Sequence, residues 1–432
     1  MPFEHRDHTP RKIAVIGAGI SGMGAAHVLG DAHNVTLYEA ENRLGGHART
    51  VVAGKNGDQP VDTGFIVFNR VNYPNIVSLF ERLEVPIAPS NMTFGASIKG
   101  GWLEYSLEST DALFAQRRNI VRPAFLRMVR DILRFNANAL EMSRDPSMTV
   151  GQLLEKLGTG TWFRDYYLLP FSGAIWSTPK AKIMDFPAHA MVQFFKNHAL
   201  LHHTGQHQWY TIDGGSIEYV RRLDAGMRRK GVNIRLASAV QSVRRTDLGV
   251  QVKCWSGEWE TYDDVVFATH SDDALAMLAD AREEERAALG AVAYQSNDVV
   301  LHCDPSVMPK RRKTWASWVY TEDKTSQSDT IDLSYWMNSL QPIPMDDPHF
   351  VTLNSRRKIR EEMIYDTVTL RHPVYDLGAL AAQKDVQKFN GTQSTWFCGA
   401  WMKNGFHEDG LSSALDVVDS INRAADQSMV AQ

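Results

Sequence analysis

Cysteine is scarce, with three in 432 residues. Cys254, Cys303 and Cys398 are odd in number and far apart, and no C-x-x-C pair occurs. That pattern excludes a disulfide scaffold and a cysteine zinc site, and it predicts a reduced, cytoplasmic setting. Long apolar runs are also missing: nothing reaches the roughly 18 residues of a membrane span, and the first ten residues are polar. Neither a signal peptide nor a spanning helix is expected, which leaves at most peripheral attachment at the inner membrane face. Charge of one sign is lacking as well. With 46 basic and 50 acidic residues the formal net charge is −4, so there is no global basic field and nucleic acid is not an expected partner. What is present is length and apolar content, 48.6 kDa with 44% hydrophobic residues, enough for about two to three domain-sized units.

The chain is organised around Lys12 to Thr50, KIAVIGAGISGMGAAHVLGDAHNVTLYEAENRLGGHART. A short apolar strand, Ile13 to Ile16, runs into Gly17, Gly19 and Gly22 in G-x-G-x-x-G spacing, and a helix of small residues follows from Ser21 to Leu29. This is the phosphate cradle of a dinucleotide-binding βαβ unit. Gly17 permits the tight turn, Gly19 lets backbone approach a pyrophosphate, and Gly22 lets helix and strand pack closely. The helix N-terminus at Ile20 and Ser21 offers unpaired N–H groups to the anion. A second strand, Val35 to Tyr38, ends in Glu39, placed to accept from ribose hydroxyls.

Arg43, Gly45, Gly46 and Arg49 in RLGGHART resemble the R-x-G-G motif of the flavin amine oxidase and phytoene desaturase superfamily, and the resemblance implies FAD rather than NAD. It also implies an α/β fold: a Rossmann-like, discontinuous FAD-binding domain with an inserted α+β substrate domain. On this reading residues 1–71, 208–273 and 389–432 bind FAD, and 72–207 with 274–388 form the substrate domain. Segments such as VDTGFIVFN, PFSGAIWSTP and GFHEDGLSSA resemble a bacterial subgroup of FAD-binding oxidoreductases linked to modification of unsaturated or cyclopropane fatty acyl chains.

Between the cradle and the C-terminus the signals are looser. In VDTGFIVFN, Asp62 to Gly64 reads as a turn and Phe65 to Phe68 as a buried strand; the family has a similar D-x-G segment beside the flavin. Val121, Phe125, Met128, Val129, Ile132 and Leu133 repeat at helical spacing, with Arg127, Arg130 and Arg134 on another face behind Arg117, Arg118 and Arg122. Two readings stand for this basic amphipathic helix, a solvated face on a core helix and a dock for anionic lipid. LLPFSGAIWSTP, Leu168 to Pro179, is either a core turn or the wall of a substrate cavity. His198, His202, His203 and His207 contain two H-x-x-x-H spacings, but no acid joins them and flavin chemistry needs no metal, so none is expected.

After Gln208, Gly214 and Gly215 resemble the family's second glycine pair. Strands are expected at Val232 to Leu236 and Val240 to Val243, and the resemblance implies that backbone near Val240 lies by the adenine. Asp264 to Thr269 reads as a strand leading back to the substrate domain, followed by mostly antiparallel strands at Val299 to His302, Ser317 to Tyr320 and Asp332 to Met337. PKRRKTWASW sets Lys310 to Lys313 beside Trp315 and Trp318, as a solvated loop, an interfacial anchor or a carboxylate grip. In the last motif, Trp396 to Val418, a strand ends at Gly399 and a helix opens at Gly410 and Leu411. The resemblance implies that this helix N-terminus faces the pyrimidine edge of the flavin, stabilising its reduced state.

The expected substrate is a lipid or long acyl chain, methyl-branched or unsaturated and free or phospholipid-bound, oxidised by a desaturase that passes hydride to flavin N5. The alternatives are a flavin amine oxidase and a fatty-acid double-bond isomerase. His407 and Glu408 are the candidate bases. Only Trp401 stands where an amine oxidase carries two caging aromatics, a departure that weighs against amine oxidation.

Overall fold

The computed structural model describes residues 10–176, 180–201, 207–255, 257–323 and 332–430. Its organising element is a five-stranded, wholly parallel sheet of β1 (Lys12–Ile16), β2 (Asn34–Tyr38), β3 (Asn233–Arg235), β4 (Asp264–Phe267) and β5 (Thr395–Phe397), in spatial order β3-β2-β1-β4-β5. Four of the five residues of β1 are buried, as a strand covered on both faces requires. The order reverses between β1 and β4, so the connections leaving their C-terminal ends diverge and open a crevice. In such sheets ligands bind there.

The helices that frame the crevice follow from composition. Helix α1 (Ile20–Leu29) is almost wholly small or apolar, and it packs on the sheet side with eight of its ten residues buried. Helix α2 (Pro74–Arg82) starts with proline, which suits the first turn because its missing N–H has no partner there. Helices α3 (Pro123–Met142) and α4 (Leu169–Trp176) follow, then α5 (Ile217–Arg229) and the C-terminal α6 (His407–Val430).

A second, seven-stranded sheet runs in the order Ile364–Val374, Ala293–His302, Phe350–Leu353, Leu333–Trp336, Trp318–Thr321, Phe94–Ile98, Leu103–Ser106. It is antiparallel except where Trp318–Thr321 pairs with Phe94–Ile98. Its apolar residues share one core with Phe125, Phe135, Phe163, Phe171, Trp176 and Phe195 from the helical region.

Two sequence expectations change in three dimensions. The stretch 168–176 is no turn: α4 is a buried helix with apolar residues on every side, continuous with a helical stretch that begins at Thr161, and Pro170 follows directly on a π-helical turn at Arg164–Leu168, where the regular backbone ladder is already interrupted. Residues 177–179 of that motif lie outside the described residues. The strand expected at Phe65 to Phe68 is Val67–Asn69 instead. A Cβ on Gly64 would lie 1.9 Å from the His47 carbonyl oxygen, so this segment packs on the glycine loop and joins a sheet only beyond Ile66.

Candidate functional site

Three glycine-bearing segments build the wall of the crevice. Gly17, at φ +97°, donates to the Tyr38 carbonyl, and a Cβ on Gly22 would sit 1.7 Å from the Gly17 oxygen. Only a chain without side chains can close this turn. Gly19 differs: a Cβ built there meets nothing within 4 Å, which leaves the space a pyrophosphate needs. The RLGGHART loop lies directly on this turn. Gly45 donates to the Ala18 carbonyl at 2.8 Å, and a Cβ on Gly46 would come 3.0 Å from Gly19 Cα.

Arg43 folds its own loop, donating to the Gly46 and Ala48 carbonyls and pairing with Glu41 at 2.8 Å. Arg49 reaches across to Asp366 at 2.6 Å. Glu39 ends β2 and accepts from the backbone N–H groups of Ala18 (2.7 Å) and Glu41 (2.8 Å). The chain at Ala237 and Ser238 donates to the carbonyls of Glu41 and Glu39, which brings the segment leading to Val240 alongside the acid. Gly214 and Gly215 both take positive φ, and Ser216 after them donates to the buried Asp62 carboxylate. Asp62 also accepts from Thr50 and Gln341, and burial raises its pKa to about 6.

The third segment closes the crevice from the C-terminal side. Gly399 at φ +154° is held by a double hydrogen bond with Ser413. A Cβ on Gly410 would be 2.9 Å from Ser21 Oγ, and one on Gly24 would be 2.5 Å from Leu411 Cδ1. The N-termini of α1 and α6 therefore meet side by side, two sources of partial positive charge over one site.

Four histidines converge beside this wall. His47 lies with its ring 5.9 Å from His270 and 5.4 Å from His372. His407 stacks on Phe65 at 3.9 Å and hydrogen-bonds the Tyr219 hydroxyl at 2.7 Å. Burial lowers all four pKa values, to about 3 for His270, His372 and His407, so each is neutral near pH 7. His47 Nε2 donates to the Arg371 carbonyl, leaving Nδ1 with a lone pair; Asn297 donates to His372 Nδ1, leaving Nε2 as a donor. Asp272 and Asp273 lie close to His270, but Arg371 takes both carboxylates at 2.6 and 2.5 Å.

Of the two candidate bases, Glu408 commits both oxygens to the first turn of α2, accepting from Asn75 N (3.0 Å), Asn75 Nδ2 (2.6 Å) and Ile76 N (2.9 Å). His407 lies within the histidine group. Trp401 is buried and donates to the Thr269 carbonyl at 3.1 Å. The sequence reading missed His47, His270 and His372. His47 follows the glycine pair and His270 the end of β4, positions a strand-end rule would flag; His372 had no local signal. His198 donates to the Phe194 carbonyl and stacks on its ring, and His202 and His203 lie outside the described residues. A cavity of about 280 Å³ opens nearby, lined in part by Tyr73, Phe194, His198, Phe406 and Asp409, whose pKa burial raises to about 6.

A parallel sheet with this cradle, acid and pair of helix N-termini defines a dinucleotide-binding protein, and the site fits FAD. The chain belongs to the flavin containing amine oxidoreductase family, whose model matches residues 20–406. It is an FAD-dependent oxidoreductase.

Among solved structures, a CLA-producing fatty acid isomerase from P. acnes superposes with a TM-score of 0.67 at 15% identity, covering 95% of this chain and 98% of that one. Cyclohexylamine oxidase from Brevibacterium oxydans gives 0.64 at 14% identity, covering 96% and 100%. These likenesses concern the fold. In sequence, mouse L-amino-acid oxidase is 46% identical over 54 residues, 12% of this chain and only 9% of that enzyme's length.

Proposed function

We propose that the protein oxidises an uncharged long acyl chain, introducing a double bond. The observation that supports this is the neutral histidine group: His47, His270, His372 and His407 present hydrogen-bonding atoms without net charge. An ammonium substrate would ask for a carboxylate or a cage of aromatic faces. Asp272 and Asp273 are committed to Arg371, and Trp401 is turned into the core.

FAD, when bound, supplies a hydride acceptor at N5. The protein's own residues have the remaining work of orienting the chain, excluding water and holding a proton. His47 Nδ1 carries a lone pair, and His407 with Tyr219 forms a second proton-sharing pair. We assign the base to this group, with His47 and His407 as its candidates.

A redox-neutral double-bond shift is the second reading, since the fold is shared with the P. acnes fatty acid isomerase. Incubating the holoprotein in air with phospholipids bearing monounsaturated or methyl-branched chains tests the proposal. Mass spectrometry should find products two hydrogens lighter. Products of unchanged mass with a moved double bond would favour the isomerase.

A further inference from the structure

Helix α3 does not bury the stripe its sequence periodicity suggests. Its core face is Phe125, Met128, Asp131, Phe135 and Ala139, whereas Leu126 and Leu133 are 43% and 54% exposed. At about 100° per residue, positions 126 and 133 fall on one side of the helix with Arg130 between them. Arg127 and Arg134 form a parallel row beside them. The turn leading into the helix adds Ile120 and Val121, which are 49% and 79% exposed. Four bulky aliphatic side chains thus stand in solvent within one turn-and-helix unit, among arginines.

The charge around them is mostly basic, Glu141 near the C-terminal end being the one exposed acid on α3. Among the described residues Arg127 and Arg134 pair with no carboxylate, and the lone contact of Arg130 with an acid is 3.5 Å to Asp131. Asp111 is shared by Arg117 at 2.5 Å and Lys313 at 2.8 Å, so the second basic segment, Lys310 to Lys313, adjoins the first across that acid, with its Arg311 turned to the buried Glu104 at 2.7 Å. At the edge, Arg122 lies between the rings of Trp102 and Trp162, 4.3 and 4.6 Å from their centres, an amphipathic pairing suited to a polar–apolar boundary.

We propose that this face is a dock for an anionic lipid bilayer, with α3 lying in the interface plane and Val121, Leu126 and Leu133 entering the acyl boundary. The occupant follows from charge. A second copy placed across a two-fold axis would set these arginines against their own counterparts, whereas a bilayer bearing anionic headgroups supplies the missing counter-charge. The proposal rests on this surface and not on the substrate reading.

Sedimentation of the FAD-loaded protein with phosphatidylcholine vesicles, with and without phosphatidylglycerol, tests it. Wild type should pellet with the anionic vesicles at low salt and be released at high salt. The combined variant Arg127→Gln, Arg130→Gln, Arg134→Gln should lose partitioning on the order of a hundredfold, about fivefold for each cation. Leu126→Ser with Leu133→Ser should be released at lower salt than wild type. All of these side chains are exposed, so the variants should keep the wild-type flavin spectrum. The dock is refuted if wild type stays in the supernatant or the arginine variant partitions like it. A concentration-dependent dimer that the leucine variant abolishes, without vesicle binding, would refute it in favour of self-association. Oxidation of detergent-dispersed substrate is read separately, so a failed dock and a failed substrate reading are told apart.

Discussion

Glu408 shows how a residue's type and position can point to chemistry while its hydrogen bonds point elsewhere. Its carboxylate meets the Asn75 and Ile76 N–H groups and Asn75 Nδ2, so it acts as a cap supplied from outside α2. Glu408→Ala should therefore cost about 1–2 kcal/mol and lower Tm by a few degrees, with flavin reduction by substrate within a few-fold of wild type. Differential scanning calorimetry beside stopped-flow absorbance separates these effects; an unchanged Tm with reduction slowed a hundredfold would make Glu408 the base. The sequence carries an acid just ahead of the expected C-terminal helix, which in fact begins at His407 and takes Glu408 into its first turn, but not the helix start some 330 positions earlier that the fold brings against it. His372 was hidden in the same way, since it comes near His47 only where the strand Ile364–Val374 meets the glycine loop, the Arg371 carbonyl accepting from His47 Nε2.

At the scale of elements, the glycine turn and the glycine pair after β2 work as one object. Gly46 at φ +56° packs on Gly19, and that contact holds the loop against the cradle. Gly46→Ala adds a methyl group at a strained φ and 3.0 Å from Gly19 Cα, so the two loops must part. The variant should fold yet purify with much less flavin, as measured by the ratio of flavin to protein absorbance; full flavin content would show that the loops yield without loss. This layer was the most legible in the sequence. Strand, glycines, helix and acid are local and steric in origin, and each expected strand of the parallel sheet forms within a residue or two of its place. The helical region was less legible. A run such as Leu169 to Trp176 is apolar throughout, so no periodicity separates a buried helix from a turn, and α3 buries Asp131, which donor Gly160 N satisfies at 2.9 Å, in place of Leu133.

For the whole molecule, the histidines that the fold partly desolvates set an acid limit. His270, His372 and His407 fall to about 3, and His198 and His302 to about 4, below the ordinary 6.5. Between those values and 6.5 the unfolded chain binds protons that the folded chain refuses, so these groups make stability fall as pH drops below about 6.5. Asp62 and Asp409, raised to about 6, act in the opposite sense between 3.8 and 6, since the folded state holds their protons. His27 and His47 are lowered too and Asp264 and Asp332 raised, which leaves the lowered histidines in the majority, and Tm should decline from pH 6.5 to 4; a Tm that is flat or rising over that interval would mean these imidazoles are not held neutral. Neutrality also underlies the account of the site, because it is what separates an apolar substrate from an amine. The direct measurement is anaerobic titration of the holoprotein, followed by the absorbance of oxidised flavin. Phospholipids with monounsaturated or methyl-branched acyl chains should bleach the flavin, while primary amines and L-amino acids leave it oxidised. Bleaching by an amine or an amino acid, with none by lipid, would contradict the account.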